Sequence, residues 1–185
     1  MFDIRKIQEQ VIYGAVKSVS NDEMAREIVY GKDEIARTED NPTWVKSTMK
    51  RLENHFDRSD IKRIRMNCQC GYGMDEKLVL VKELVESSSS MDEFGSLDKA
   101  RAAGLSCANG ELYLQFHFCP CPMLADVDRL ETNTWCQCTT GYSKVLFEKA
   151  FKCKVEVELL KSIKMGDEKC LMKIIPQETI MKMKE

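Results

Sequence analysis

The sequence has few of the features that would place a protein in a membrane or outside the cell. No segment approaches the ~18 consecutive apolar residues of a membrane-spanning helix. The opening residues, MFDIRKIQEQVIYG, carry charges in every turn and lack the apolar stretch of a signal peptide. We therefore expect a cytoplasmic protein with no membrane partner, in a compartment where thiols stay reduced.

A strong charge of one sign is also lacking. The net charge is −2 over 185 residues, which argues against a protein built to coat nucleic acid. The segment 43–65 is an exception, with seven Lys or Arg against three Asp or Glu. DNA binding is nevertheless not the favoured reading, because no helix-turn-helix glycine is evident. The sequence also has no glycine-rich phosphate loop, no G-x-S-x-G and no H-E-x-x-H motif.

Cysteine, in contrast, is abundant, with nine in 185 residues. Six of them form three C-x-C pairs: Cys68 with Cys70, Cys119 with Cys121, and Cys136 with Cys138. Thiolates that share a tetrahedral zinc lie a little under ~4 Å apart. Alternate residues of a straight strand are roughly 6.6 Å apart at Cα. A pair can therefore share a metal only where the backbone bends, which Pro120, Gly71 and Gly141 would permit.

Clustered cysteines in a cytosolic chain indicate a metal site or catalysis before they indicate disulfides. We predict that Cys119, Cys121, Cys136 and Cys138 meet in one site, joined by Cys68 and Cys70, and that the site holds zinc. An iron–sulfur cluster is not expected, because spacings such as C-x-x-C-x-x-C are absent. A redox pair and simple core packing remain as alternatives. Packing is the expected role of the other three, Cys107, Cys153 and Cys170.

Hydrophobic periodicity predicts an α+β fold. Apolar residues recur at helical spacing in residues 1–103, for example at Val45, Met49 and Leu52. The period changes to two after Gly104, so residues 104–185 should form a small α+β part. We expect a helical N-terminal half packed on a small antiparallel sheet, with a helix in the C-terminal half, as one compact unit.

The first predicted strand begins near Leu112 and alternates apolar and polar residues as far as Phe118. If the strand continues in register, His117, Cys119 and Cys121 lie on one face, away from the core. A helix capped by Thr139 or Thr140 should follow.

Residues 152–175 are predicted to form an antiparallel hairpin that turns at Gly166 and Asp167. Its core-facing residues should be Val155, Val157 and Cys170. The alternating carboxylates, Glu156 and Glu158, should face away from the core, towards solvent or a pocket wall.

The last third has a recognisable order of residues. It runs from Trp135-Cys136 through Cys138-Thr139-Thr140-Gly141-Tyr142 to VEVELLKSIKMGD and a closing Cys170. This resembles the superfamily of 4-vinyl reductase (hydrocarbon-binding) domains, TRAPP-subunit-like proteins and L-2-amino-thiazoline-4-carboxylic acid hydrolase-like proteins. The likeness covers about 40 residues well and is closest from Val155 to Cys170.

The resemblance implies an α+β ligand-binding fold with a cavity between helices and sheet, and members that often form dimers. Some members carry cysteine-bound zinc, and one branch hydrolyses a small sulfur heterocycle. Cys136 or Cys138 resembles the cysteine that several members place just before the helix that contains Gly141. Cys170 resembles the family's cysteine after the Gly-Asp turn. The candidate ligand-binding residues are His117, Tyr142 and Glu158.

Three functions follow as hypotheses. The first is a homodimeric small-molecule-binding protein whose cavity borders a cysteine-rich zinc site. The second is a hydrolase of a small sulfur or nitrogen heterocycle, which would use a metal-activated water or a thiolate. The third is an interaction module built around structural zinc.

Overall fold

The computed structural model describes residues 3–180 and has an α+β fold. The α-helices are α1 (Ile4–Val19), α2 (Asp22–Tyr30), α3 (Asn41–His55), α4 (Arg58–Met66), α5 (Met74–Glu86), α6 (Met91–Ser96), α7 (Asp98–Ala102) and α8 (Gln137–Phe151). The strands are β1 (Leu105–Ala108), β2 (Glu111–Phe116), β3 (Val155–Lys161) and β4 (Cys170–Pro176). Seven helices precede the sheet in the chain and one lies in the C-terminal half, which confirms the predicted fold class. Within the described residues, no helix is both long and apolar enough to cross a membrane.

The chain divides into two compact units. Among the described residues, the helical unit contains the chain from Asp3 to Cys70 together with Cys119–Gly141 and Lys164–Gly166. The sheet unit contains Gly71–Phe118, Tyr142–Ile163 and the chain from Asp167 to Ile180. The units are interleaved along the sequence, so their boundaries differ from the single boundary at residue 103 that the periodicity suggested.

The helical unit is built on α1 to α4, and side-chain caps begin each of these helices. Asp3, Asn21, Asp40 and Asp57 each accept a hydrogen bond from a backbone amide of the first turn. The fully buried Trp44 lies at the centre of the core and donates from its indole nitrogen to the Val29 carbonyl oxygen at 2.8 Å.

The sheet unit contains four antiparallel strands in the order β1-β2-β4-β3. Its buried face is continuous across the strands, because Leu112 pairs with Ile174, which pairs in turn with Val157. The predicted hairpin is confirmed: β3 and β4 are antiparallel, and Val155, Val157 and Cys170 are buried. Glu156 and Glu158 are exposed, as expected from the alternation.

Two predicted element ends were wrong. Strand β2 stops at Phe116, because Phe116 pairs with Cys170, the first residue of β4, and β4 offers no partner beyond it. His117, Cys119 and Cys121 therefore do not share a strand face. Helix α8 begins at Gln137, two to three residues before the predicted caps.

Candidate metal centre

All six cysteines of the C-x-C pairs lie in the helical unit, whereas Cys107, Cys153 and Cys170 lie in the sheet unit. The first pair follows the C-terminus of α4. The second precedes a short 3-10 turn at Pro122–Leu124, and the third begins helix α8. We call the six together the thiol cluster: Cys68, Cys70, Cys119, Cys121, Cys136 and Cys138. Three separate stretches of chain thus bring their thiols to one unit.

A glycine allows the start of α8 to lie against the end of α4. A Cβ at Gly141 would overlap the Met66 carbonyl group and come within 2.6 Å of its carbon. With hydrogen in that place, Cys138 approaches the first pair, and its thiol donates to the Cys68 carbonyl oxygen at 2.9 Å. The Cys68 thiol donates in turn to the Ile64 carbonyl oxygen at 3.1 Å.

The cluster is largely removed from water. Cys68 is fully buried and Cys138 is 9% exposed, and Cys119, Cys121 and Cys136 are half-buried against the same apolar core. Burial raises the pKa of Cys121 to about 11, and the neighbouring Cys138 and Cys119 add to the rise. Burial likewise raises the pKa of Cys138 to about 11, against the opposing effect of Arg65. As free thiols these groups stay protonated at neutral pH and are poor nucleophiles.

Arg65 places a positive charge among these thiols. It is fully buried, and its guanidinium lies 4.0 Å from the centroid of the Trp135 ring. Its Nη2 donates to the Trp135 carbonyl oxygen at 3.1 Å, but its Nε and Nη1 have no partner. In the described part of the chain no carboxylate pairs with it. It acts instead on thiols, and favours the ionised forms of Cys68, Cys121 and Cys138.

Unpaired polar atoms are concentrated in this unit. Four buried side-chain atoms in residues 3–180 lack a hydrogen-bond partner: Gln8 Oε1, Arg65 Nε and Nη1, and Trp135 Nε1. All belong to the helical unit, and two of these residues lower the pKa of Cys138, Arg65 by its charge and Gln8 by a side-chain hydrogen bond. Buried polar groups in native proteins are nearly always paired, so each such atom calls for an explanation such as an absent ion.

Sequence reasoning missed Arg65, although the pattern of α4 contained a signal for it. The positions Ile61, Ile64, Arg65 and Cys68 follow the i, i+3, i+4, i+7 spacing of a buried helical face. A lone arginine on an apolar face, one turn before a cysteine pair, predicts a buried charge. The count of basic residues over 43–65 did not distinguish Arg65, on the apolar face, from the exposed basic residues around it.

As they stand, two thiols of the cluster, Cys68 and Cys138, are oriented towards backbone oxygens. No three His, Cys, Asp or Glu side chains among residues 3–180 are grouped so that they could hold a metal ion. A protonated thiol donates to a carbonyl, as Cys68 and Cys138 do, whereas a thiolate can only accept. Ionisation would therefore release both side chains from their present partners. The predicted set of zinc ligands stays a prediction.

The three candidate ligand-binding residues lie in the sheet unit. His117 is exposed just after β2, and Glu158 is exposed opposite Lys173 of the neighbouring strand. Tyr142 donates from its hydroxyl to the Tyr72 carbonyl oxygen at 3.0 Å. A groove of about 520 Å³ lies between α5 and the start of α7, but none of the three lines it. Their role in ligand binding stays a prediction.

The fold and the site together define an α+β protein with a partly buried cluster of paired cysteines. The chain belongs to the family of unknown function DUF6144, whose family model matches residues 1–181. No curated protein and no solved structure matches the chain. The resemblance to the 4-vinyl reductase and TRAPP-like superfamily stays a prediction.

Proposed function

We propose that this protein binds zinc through thiolates of the thiol cluster, and that the metal stabilises the helical unit. The observation that carries the proposal is the fully buried guanidinium of Arg65, which has no carboxylate partner and whose charge acts on three thiols of the cluster. An unpaired buried charge costs several kcal/mol. A zinc ion held by three or four thiolates is a net anion and would supply the missing counter-charge.

Zinc agrees with the chemistry of the available donors. Soft thiolates favour zinc, copper(I) or iron–sulfur clusters, and zinc is the one that tetrahedral sets of cysteines hold most often in structural sites. We propose Cys68, Cys121 and Cys138 as the first three ligands, because Arg65 favours the ionised form of each of them. A fourth could come from Cys70 or Cys119, which act electrostatically on members of this group.

A structural role is favoured over a catalytic one. Catalytic zinc keeps one coordination position open to water or substrate, whereas structural zinc is closed by protein ligands. Cys68 and Cys138 are shielded from solvent, and they come from segments 70 residues apart in the chain. A metal bound by both would tie the segment after α4 to the start of α8. Small-molecule binding, heterocycle hydrolysis, a homodimer and a cytoplasmic location stay predictions.

The test is the metal content of purified protein, compared between two double variants. Wild-type protein should contain stoichiometric zinc, and Cys121→Ser with Cys138→Ser should lose it. The matched control is Cys107→Ser with Cys153→Ser, which changes two thiols of the sheet unit and should retain zinc. Wild-type protein that neither contains zinc nor takes it up after reduction would overturn the proposal. So would equal zinc in both double variants. Copper or iron in place of zinc would refute the choice of metal.

A further inference from the structure

We infer that Arg65 is the built-in counter-ion of the metal–thiolate centre and determines how tightly the centre binds a divalent metal. The inference rests on the proposed function and assigns a role to a residue outside the thiol cluster. Arg65 lies on the buried face of α4, one turn before Cys68, and is fully buried. Its charge therefore acts where water screens it least.

The charge of the occupied site explains why such a residue is needed. A divalent metal with four thiolates carries a net charge of −2, and with three thiolates a net charge of −1. Burying either anion in an apolar core is unfavourable unless a cation lies beside it. Arg65 would neutralise the three-thiolate centre fully and the four-thiolate centre in part. Contacts place it beside two of the cysteine pairs: Arg65 lies one helical turn before Cys68, and it donates to the carbonyl oxygen of Trp135, the residue before Cys136.

The unpaired donors support the same role. Arg65 Nε and Nη1, together with Trp135 Nε1, are three buried donor nitrogens without a hydrogen-bond partner. Thiolate sulfurs bound to a metal still accept hydrogen bonds, and such outer-shell donors commonly change metal affinity 10–100-fold. We expect these donors to pair with ligand sulfurs when the metal is bound.

A purely structural role for Arg65 predicts a different result. Its bond to the Trp135 carbonyl oxygen and its stacking on the Trp135 ring hold two parts of the helical unit together. If that were its main role, Arg65→Met would destabilise the protein whether or not metal is present. If Arg65 is a counter-ion, the same variant removes an uncompensated charge from the metal-free protein. It should then leave the metal-free form at least as stable as wild type.

The experiment measures zinc affinity by competition with a chromophoric chelator, and the melting temperature of the metal-free protein. We expect Arg65→Met to weaken zinc binding at least 10-fold without lowering the metal-free melting temperature. Arg65→Lys, which keeps the charge but not the planar donors, should lie between Arg65→Met and wild type. Arg63→Met is the matched control, because Arg63 is on the same helix but exposed and paired with Asp60. It should bind zinc as wild type does.

The outcomes separate this inference from the proposed function. If wild-type protein binds no zinc, the proposed function fails and the inference fails with it. If wild type and Arg65→Met bind zinc equally, only the inference is refuted. A metal-free Arg65→Met that melts well below wild type or does not fold would also refute it, in favour of the structural role.

Discussion

Gly141→Ala is the substitution whose effect the structure defines most sharply. A methyl group there would lie within 2.6 Å of the Met66 carbonyl carbon, a distance at which Cβ atoms are essentially never found in proteins. The obstacle is backbone at the last residue of α4, so no side chain can rotate away. The start of α8 would have to move from α4, and Cys138 would move away from Cys68 with it.

The expected loss is at the upper end of the range for overpacked sites, about 3 kcal/mol in the free energy of unfolding. For a chain of this length it corresponds to a melting temperature lower by roughly 6–12 °C. Circular dichroism during heating measures it. The control is Gly14→Ala in the middle of α1, where a Cβ would meet nothing within 4 Å. Alanine there should raise the free energy of unfolding by about 0.5–1 kcal/mol, because it restricts the unfolded chain and favours helix.

The two variants should thus shift stability in opposite directions. Zinc affinity should fall in Gly141→Ala and stay unchanged in Gly14→Ala. If Gly141→Ala has the same melting temperature as wild type, α8 does not contact the Met66 carbonyl group at Gly141. The explanation of how Cys138 approaches Cys68 would then be wrong.

Three further substitutions test other parts of the fold. Trp44→Phe removes the indole donor to the Val29 carbonyl oxygen and should cost about 2 kcal/mol in denaturant unfolding; an unchanged midpoint would refute that bond. Burial raises the pKa of Glu148, but hydrogen bonds, the first from Lys144, outweigh it and leave the pKa below its ordinary value. Glu148→Gln should therefore cost about 1 kcal/mol at pH 7, and the difference from wild type should vanish as the pH falls through the folded-state pKa of the carboxyl; a pH-independent difference would refute this. Gly110→Ala places a side chain at φ 77° in the β1–β2 turn and should cost about 1 kcal/mol, with faster amide exchange in β1; exchange unchanged from wild type would count against that turn.

The β3–β4 hairpin could be predicted because local patterns agree with each other. Val155 and Val157 alternate with exposed glutamates, and Gly166, with φ 97°, lies between the two strands. Strand β1 was missed, although Asn109-Gly110 is a typical two-residue hairpin turn and both residues have positive φ. At four residues, β1 is too short for alternation to reveal it.

The end of β2 could not be read from its own residues. Alternation continues past Phe116, but pairing stops there because of where β4 begins, some 54 residues later in the chain. Edge positions of this kind depend on a distant partner, so the local period gives no warning of them.

The gathering of the three cysteine pairs in one unit could be anticipated from their shared spacing. The buried positive charge near these cysteines could not be anticipated, because its position depends on which face of α4 is buried. Arg65 is charged, and charged residues are almost never fully buried unless paired. Only the packing of α4 shows that this residue lies inside, next to Trp135.

X-ray absorption at the zinc edge of the purified protein tests the central claim most directly. It reports which elements surround the metal and at what distance. We predict a first shell dominated by sulfur at about 2.3 Å, both in wild type and in the control double variant Cys107→Ser with Cys153→Ser. A first shell made only of nitrogen and oxygen at about 2.0–2.1 Å would contradict a zinc–thiolate centre.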